Sequence, residues 1–426
     1  MKDREMSDMR VASVICATLL ASGCSGEAAS NADGAWVGTV TSEGNVTTVV
    51  NESGSVWGGP ATLVEQASIG VEIGPPEYML GFIGGLWATD DEIYVIDSQA
   101  PAVRIYDYDG IYLRTIGRSG QGPGEYMSPV ALYTDDAGRI YVQEASGNAR
   151  VNIYDHEGDY LDTWSSPAEA RLFTGPLIKA IDGAFYTRLT LREDPSDPNT
   201  WNRGMQQVGP EGAIGDLIPM PELDFERLEL AGDRSTYSVP YGPYQVSAFS
   251  PAGAWIVGVN DAYRFEIHNP NGSITRVEKF WDPVPIGAAE AEYRKRWTTG
   301  SIRRNDPDWN WNGPPIPEHK PAYYLFTPSQ SNHVLVVREG PSHRVQGPCD
   351  ETYEDRGPSI ESCYEPERAW DLFDLEGNFL GEVIRPAGRL FQPFFRDDLA
   401  LIHVEDEMGT IMVKRYRLTP PATGSQ

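Results

Sequence analysis

Apolar and polar residues alternate with a period of two through most of the chain, in short runs that end at turn residues. Around Gly110 the apolar positions are Val103 and Ile105 before the glycine and Leu113 and Ile116 after it. Side chains on a strand alternate between the two faces of a sheet, so such runs predict short strands. An acidic residue or asparagine followed by glycine between two runs predicts a β-hairpin, because the turn needs a positive φ.

The hairpin pattern recurs along the chain, and its turns end at Gly110, Gly158, Gly212, Gly272 and Gly377. A strand–turn–strand element precedes each hairpin: "LWATDDEIYVIDS" (86–98), for example, matches "ALYTDDAGRIYVQEA" (131–145). One unit therefore contains four short antiparallel strands. The 48 residues from Gly110 to Gly158 are a suitable length for one blade of a β-propeller.

The predicted fold is all-β: a six-bladed β-propeller over residues 45–418, with four-stranded antiparallel blades. Neighbouring blades must stack, since one blade cannot bury both of its faces alone. The last unit, 394–418, contains only three predicted strands. We expect the early run "NVTTVVNE" (45–52) to supply the fourth strand and close the ring.

The glycine-rich stretch "GRSGQGPGEY" (117–126) has the glycine spacing of a phosphate-binding loop. Such a loop also needs a lysine and a hydroxyl residue after its second glycine, where this chain has Pro123 and Gly124. The stretch also does not match G-x-G-x-x-G, the dinucleotide-binding pattern, or G-x-S-x-G, the nucleophile turn of serine hydrolases. The stretch therefore predicts a connecting loop with several positive-φ positions.

Residues 93–142, which include this loop, resemble the NHL-like and TolB-like six-bladed β-propellers, and above all the bacterial propeller lipoproteins of this type. In that family G-R-x-G-x-G-P-G-E-[FY]-x-x-P links the outer strand of one blade to the inner strand of the next. The resemblance implies an architecture and no particular reaction, since NHL-type propellers bind proteins, RNA or sugars, and some are enzymes.

The N-terminus is typical of an exported protein. The apolar run 11–22 is too short to span a bilayer as a helix, and it follows Arg10. It ends in Ala21-Ser22-Gly23-Cys24, which resembles the bacterial lipobox and implies lipidation of Cys24. The alternatives are a cleaved signal without lipid and a buried apolar segment.

On this interpretation, residues 1–23 are a lipoprotein signal and residues 24–44 a flexible tether, with translation starting at Met1 or Met9. The protein is then extracytoplasmic and attached to the membrane through its lipid. Ser25 follows the cysteine in place of the aspartate that retains such proteins at the inner membrane, so the outer membrane or periplasm is favoured. Residues 419–426 are expected to be a disordered tail.

Cys349 and Cys363 are the remaining cysteines of the mature chain, and they lie in an acidic loop (340–368). An exported protein meets oxidising conditions, which favours a disulfide between them. A zinc site is less favoured, because two thiolates without nearby partners fall short of four ligands.

Net charge is −28, from 62 acidic and 34 basic residues. This charge disfavours binding to nucleic acid and to anionic membrane surfaces, and it favours solubility in an extracytoplasmic space. We expect a monomer.

The segment 281–321 does not fit the repeat and is expected to form a small helical insertion between blades four and five. Ala289, Tyr293 and Trp297 have helical spacing. Arginine and tryptophan side chains suit an anionic or sugar-like ligand; the candidates are Arg294, Arg296, Arg303, Trp309 and Trp311. The alternative is a structural lid that needs only the packing.

No catalytic set and no metal site can be named from the sequence, and no cofactor is expected. Asp306, Asp308, Asn310 and Asn312 alternate like calcium ligands, but Trp311 stands where an EF-hand needs glycine, so only an irregular calcium site is left open. The favoured function is an envelope-anchored module that binds a ligand, a protein or a glycan. The alternative is a metal-dependent hydrolase, similar to the gluconolactonase-like propellers, with a sugar-like substrate at the propeller axis.

Overall fold

A computed structural model of the chain describes residues 34–144, 150–165, 177–192, 201–209, 214–233, 235–345, 363–391 and 393–422. Strands dominate these residues, and α1 (Ala288–Arg303) is the one α-helix among them. A 3₁₀ turn spans Pro76–Tyr78. The all-β prediction is confirmed.

The strands form four-stranded antiparallel groups after a short N-terminal set. The N-terminal strands are β1 (Val37–Glu43), β2 (Val46–Ser53) and β3 (Ala61–Ile69). The first two groups are β4 (Ile83–Ala88), β5 (Glu92–Asp97), β6 (Ala102–Asp107), β7 (Tyr112–Ile116), and, after the short strands β8 (Arg118–Ser119) and β9 (Glu125–Tyr126), β10 (Pro129–Thr134), β11 (Ile140–Glu144), β12 (Arg150–Tyr154), β13 (Tyr160–Ser165).

The third and fourth groups follow with the same strand order. Their strands are β14 (Ile178–Lys179), β15 (Phe185–Arg192), β16 (Trp201–Val208), β17 (Ile214–Pro219), and, after the hairpin of β18 (Glu229–Ala231) and β19 (Thr236–Ser238), β20 (Gln245–Phe249), β21 (Trp255–Val259), β22 (Arg264–His268), β23 (Ile274–Lys279).

The C-terminal strands follow α1. They are β24 (Leu325–Pro328), β25 (His333–Arg344), β26 (Tyr364–Asp374), β27 (Phe379–Ile384), β28 (Arg389–Leu390), β29 (Phe394–Arg396), β30 (Leu399–Glu405) and β31 (Ile411–Thr419). The strands β24 to β27 form one antiparallel group, and β28, β29, β30 and β31 belong to the next.

The first strands of successive groups approach each other, as β4 does β10 and β20 does β24. The second strand of a group is covered on both sides, and every residue of β5 is buried. The fourth strands, such as β7, expose alternate residues at the rim. Sheets arranged in this way, with first strands inward and fourth strands outward, form a β-propeller.

The strand that completes the last group is β3, so the expectation for the run at 45–52 is wrong. β3 pairs antiparallel with β31, from Ile69 opposite Val413 to Thr62 opposite Thr419. The run at 45–52 instead becomes β2, which forms a hairpin with β1 and pairs parallel with β23 at the rim of the fourth group. Neither run alternates strictly between apolar and polar residues, so their pattern alone could not decide which one closes the ring.

Asn51 shows why β2 is held at the fourth group. Its side chain is buried, donates to the carbonyls of Glu278 and Gly377, and accepts from the backbone N–H of Phe379. The following residues continue along the next group, where Trp57 N–H donates to the carbonyl of Leu380. The N-terminal strands thus span the rims of three consecutive groups. β1 begins inside the segment predicted as a tether (24–44), so the folded part extends further toward the N-terminus than expected.

Antiparallel pairing sorts the connections onto two faces. Connections from a second to a third strand, and from one group to the next, leave one face, which we call the long-connection face. It carries the long segments 70–82, 117–128, 220–244 and 280–324. The opposite, short-turn face carries tight turns such as those ending at Gly110, Gly158, Gly272 and Gly377, all with positive φ as the hairpin pattern predicts.

Candidate functional site: the long-connection face

The glycine-rich connection uses its glycines for backbone geometry. Gly117 has φ +71°, and a Cβ there would overlap the ring of Tyr126. The carboxylate of Glu125 accepts from the N–H of Gly122 at 2.9 Å and from Arg118 Nε at 2.9 Å. The loop therefore closes on its own carboxylate, as a connection between two groups requires.

The insertion begins with α1, which lies between β23 and β24. Its buried side chains are Glu290, Tyr293, Thr298 and Ile302. Of the three residues that predicted the helix, Tyr293 is buried, Trp297 is half-buried and Ala289 is exposed. The helical spacing was therefore informative, but the buried face lies to one side of the predicted stripe.

Trp309 and Trp311 pack into a small core of the insertion. Trp309 is 5% exposed, contacts Ile302 and Leu230, and donates from Nε1 to the carbonyl of Ala231 at 2.6 Å. Trp311 is half-buried, and its ring centroid lies 6.4 Å from that of Trp309. The ring of Trp309 is thus covered by the protein itself and is not open for ligand stacking.

The three candidate arginines have different environments. Arg303 donates to the carbonyl of Trp309 at 2.8 Å and to Asn310 Oδ1 at 2.7 Å. Arg294 donates from Nε to the hydroxyl of Tyr241 at 3.1 Å. Arg296 is exposed on the helix surface. Arg294 and Arg303 therefore make contacts that hold the insertion in place, although Arg303, like Arg296, is exposed.

The calcium candidates do not converge. Asn310 Oδ1 accepts from Arg303, and Asn312 Oδ1 accepts from the N–H of Ala231 at 3.1 Å. Within the described ranges, no three His, Cys, Asp or Glu side chains are grouped so that they could hold a metal ion. The irregular calcium site stays a prediction without a supporting contact.

A buried polar cluster holds α1 against the end of β25. No local spacing in the sequence predicts this cluster. The carboxylate of Glu290 accepts from the hydroxyls of Tyr241 at 2.6 Å and Ser342 at 2.7 Å. The side chain of Lys320 is fully buried, donates to Ser342 Oγ at 2.6 Å and lies 3.7 Å from the Glu290 carboxylate. We call these four residues the Glu290 cluster.

Charge balance argues that the Glu290 cluster is structural. Burial, followed by the hydrogen bond to Glu290, raises the pKa of Tyr241, so its hydroxyl stays a donor. The buried ammonium of Lys320 lies beside the Glu290 carboxylate and also donates to Ser342, so the two buried charges compensate each other. The cluster satisfies its own groups and positions the insertion on the long-connection face.

A second buried cluster joins the fourth and fifth groups. Asp371 is fully buried and accepts two hydrogen bonds from Arg338, at 2.8 and 2.9 Å, and one from Tyr263 at 2.7 Å. Lys279 lies 3.4 Å from the same carboxylate. These charges are compensated within the fold, so we assign them a structural role.

Each face of the described part of the propeller carries a cleft. One, of about 570 Å³, lies on the long-connection face between the segments 70–82, 97–100 and 408–411. The other, of about 450 Å³, lies toward the short-turn face between the second and third groups and is lined by the largely buried rings of Tyr141, Trp164 and Phe185. Sequence reasoning missed the first cleft because three distant segments form it.

Two of the predicted residues, Cys24 and Cys349, lie outside the described ranges. Cys363 is buried, and its N–H donates to the hydroxyl of Tyr293 at 3.1 Å. The lipid on Cys24 and the Cys349–Cys363 disulfide remain predictions. In the part of the chain that the structure describes, no helix is long and apolar enough to cross a membrane.

Comparison with known proteins agrees with the fold. A protein-family model described as "6-bladed beta-propeller" matches residues 75–176, which contain the first two groups. No curated protein matches the chain.

Solved structures similar to the chain are diverse in function. They include a protein described as exported, from Bacteroides fragilis (TM-score 0.44, 10% identity, covering 84% of this chain and 94% of that one). Virginiamycin B lyase from Staphylococcus aureus (0.39, 9%, 82% and 98%) and the calcium-binding protein regucalcin from Agrobacterium tumefaciens (0.36, 11%, 84% and 96%) are also similar. All three TM-scores are below 0.5, so the propeller assignment depends on the sheet arrangement and the family match.

Proposed function

We propose that the protein is an exported, lipid-anchored β-propeller whose long-connection face binds a partner protein or a glycan outside the cytoplasm. The observation that carries the proposal is the asymmetry of the two faces. Every long described connection, the helical insertion and the larger cleft belong to one face, whereas the other carries tight turns. Irregular segments held by a rigid repeat scaffold are where such proteins place their binding groups.

The proposal also includes the number of blades, the position of the insertion and the NHL-like and TolB-like character. Counting β3 with β29, β30 and β31 as one group gives six blades, which agrees with the description of the matched family. In this count the insertion 281–321 lies between blades four and five. The NHL-like and TolB-like character is supported by the loop motif at 117–129.

A lipid on Cys24 would be compatible with partner binding at the long-connection face. The described chain enters the propeller at β1, which lies beyond β2 at the rim of the fourth group. A tether from the rim leaves the long-connection face unobstructed. The proposed location is the outer membrane or periplasm, with the protein as a monomer.

The proposal is tested by photo-crosslinking in intact cells of the native host. A benzoyl-phenylalanine is placed in the full chain at Gln121, Arg296 or Met408 on the long-connection face. The matched positions Glu157 and Asn271, also exposed, lie in turns of the short-turn face. We expect discrete crosslinked products from the long-connection face alone. Equal products from both faces, or none from the long-connection face, would contradict the proposal.

The metal-dependent hydrolase needs a separate test, because no contact among the described residues favours it. Metal analysis of the purified full chain, with a thermal shift before and after chelation, gives the answer. One tightly bound divalent ion would favour the hydrolase over the binding module.

A further inference from the structure

We propose that the cleft between segments 70–82 and 406–411 binds a polypeptide segment of a partner, in which a large apolar side chain is flanked by lysine or arginine. This inference rests on the proposed function, because it names the subsite and the partner chemistry on the same face. We call this site the acidic cleft; its walls come from Val71, Glu72, Met79, Leu80, Asp97, Gln99 and Met408–Ile411.

The walls of the acidic cleft expose unusually large apolar side chains. Met408 is 78% exposed, Met79 45% and Val71 38%. Ile73 and Phe82, in the same connection as Val71, are 86% and 63% exposed. Clustered apolar exposure of this kind marks interaction sites on soluble proteins. Two of the walls carry methionine, whose flexible side chain adapts to different apolar partners.

The backbone that presents these side chains is held in place before any partner arrives. In the connection 70–82, Val71 N–H donates to the carbonyl of Tyr78, whose ring packs 5.8 Å from that of Tyr106. In the turn that carries Met408, Asp406 accepts from the N–H groups of Met408 and Thr410 at 2.9 and 2.8 Å. A pre-formed site loses little entropy on binding.

The floor of the acidic cleft is polar and already satisfied. Asp97 is buried, pairs with Arg104 at 3.2 Å and accepts from the N–H groups of Gln99 and Ala100. Arg104 also donates to the carbonyl of Met79 at 2.9 Å. The positive charge of Arg104 is therefore compensated inside the fold and does not offset the acidic rim.

The charge of the rim selects the partner. Segments 70–82 and 405–411 together contain Glu72, Glu77, Glu405, Asp406 and Glu407 and no lysine or arginine. Acidic groups around an apolar cleft favour a cationic segment and repel anionic ones. A second copy is disfavoured, since a twofold contact through this surface would bring two acidic rims together. Anionic lipid headgroups are disfavoured for the same reason.

The test follows methionine methyl groups by NMR in the full chain, purified in detergent and labelled with ¹³C-methyl methionine. Met79→Leu and Met408→Leu assign the two cleft resonances. Met127 is the internal control, because it is 48% exposed on the same face but belongs to the glycine-rich connection. The probes are three capped hexapeptides: Lys-Lys-Phe-Leu-Lys-Lys, its counterpart with glutamate in place of lysine, and Lys-Lys-Ser-Gly-Lys-Lys.

We expect the first peptide to shift the Met79 and Met408 signals in a saturable way and to leave Met127 unchanged. Its affinity should fall about tenfold for the double variant Glu72→Gln/Glu407→Gln and fall again in high salt, because the rim charges are exposed and screened. The matched variant Glu157→Gln/Glu376→Gln, on the short-turn face, should bind like the wild type.

Equal shifts from the acidic peptide, shifts of Met127 as large as those of Met408, or no shift from the first peptide would overturn the inference. Shifts that grow with protein concentration in the absence of peptide would assign the cleft to a second copy and overturn it as well. In cells, crosslinks from Arg296 without crosslinks from Met408 would reject the acidic cleft while leaving the proposed binding face intact.

Discussion

Two connections leave the same face of the propeller and join an outer strand to the next inner strand, yet they are stabilised in different ways. The connection 117–128 is short, and its conformation comes from positive-φ glycines and the carboxylate of Glu125. The connection 280–324 contains a helix, a small core around Trp309 and the buried Glu290 cluster. The first is part of the repeat, whereas the second is a small structure placed upon it.

This difference predicts how far the effect of a destabilising substitution in each connection should extend. A defect in 117–128 strains the joint between two blades and should weaken the whole propeller. A defect in the core of 280–324 should loosen the insertion and leave the sheets intact, because local units open at their own free-energy cost.

The largest effect is expected for Trp309→Ala. Removing this buried side chain leaves a cavity and takes away one of the two side-chain hydrogen bonds to the carbonyl of Ala231, and should cost about 3–5 kcal/mol of local stability. Hydrogen–deuterium exchange should accelerate across 288–316 and stay unchanged in β5 and β11. Trp311→Phe is the control, and uniform acceleration through the propeller would refute separate stability of the insertion.

Glu290→Gln should have the next largest effect. It leaves the buried ammonium of Lys320 without its carboxylate partner, and breaking a buried pair in this way costs about 3 kcal/mol. The expected result is faster exchange in α1 and at the end of β25. Glu292→Gln is the matched control, since Glu292 is exposed on the same helix. If both variants behave alike, the Glu290 cluster does not hold the insertion.

Gly117→Ala probes the short connection. A methyl at φ +71° is strained and also overlaps the ring of Tyr126, which together should cost about 2–3 kcal/mol. Urea denaturation of the full chain should show this loss in global stability. At Gly122, which is not at a positive φ, a Cβ would meet only the flexible carboxylate of Glu125, so Gly122→Ala should lose much less.

The smallest expected effect is the response of the glycine-rich connection to acidification. Hydrogen bonds from the N–H of Gly122 and from Arg118 lower the pKa of Glu125 below its ordinary value of 4.5. Because the pKa is lowered in the folded state, the ionised carboxylate stabilises the fold at pH values above the ordinary pKa. This stabilisation is lost as the pH falls through the lowered pKa of the folded state. The amide signal of Gly122 should therefore move on acidification below about pH 4.5 in the wild type and not in Glu125→Gln. An identical pH response in both proteins would show that another group is responsible.

The repeated parts of the fold could be predicted because their signals are local. The turns at Gly110 and Gly158 and the glycine-rich loop each lie within a few residues of the strands they define. The Glu290 cluster could not be predicted, since its members are far apart in sequence: Tyr241 lies in the connection 220–244, Lys320 is 30 residues after Glu290, and Ser342 lies in β25. The closing strand was misassigned because neither β2 nor β3 alternates strictly between apolar and polar residues, and the side-chain contacts of Asn51 with the fourth and fifth groups decide where β2 lies.

The central claim is that one closed propeller, completed by β3, supports a binding face of long connections. Hydrogen–deuterium exchange of β3 in the full chain tests it most directly. We predict that the amides of Ala61–Ile69 that pair with β31 exchange slowly and in step with β30 and β31, while those of the outermost strand β1 exchange faster. Exchange of β3 as fast as that of an exposed turn would mean that the ring is open and would contradict the account.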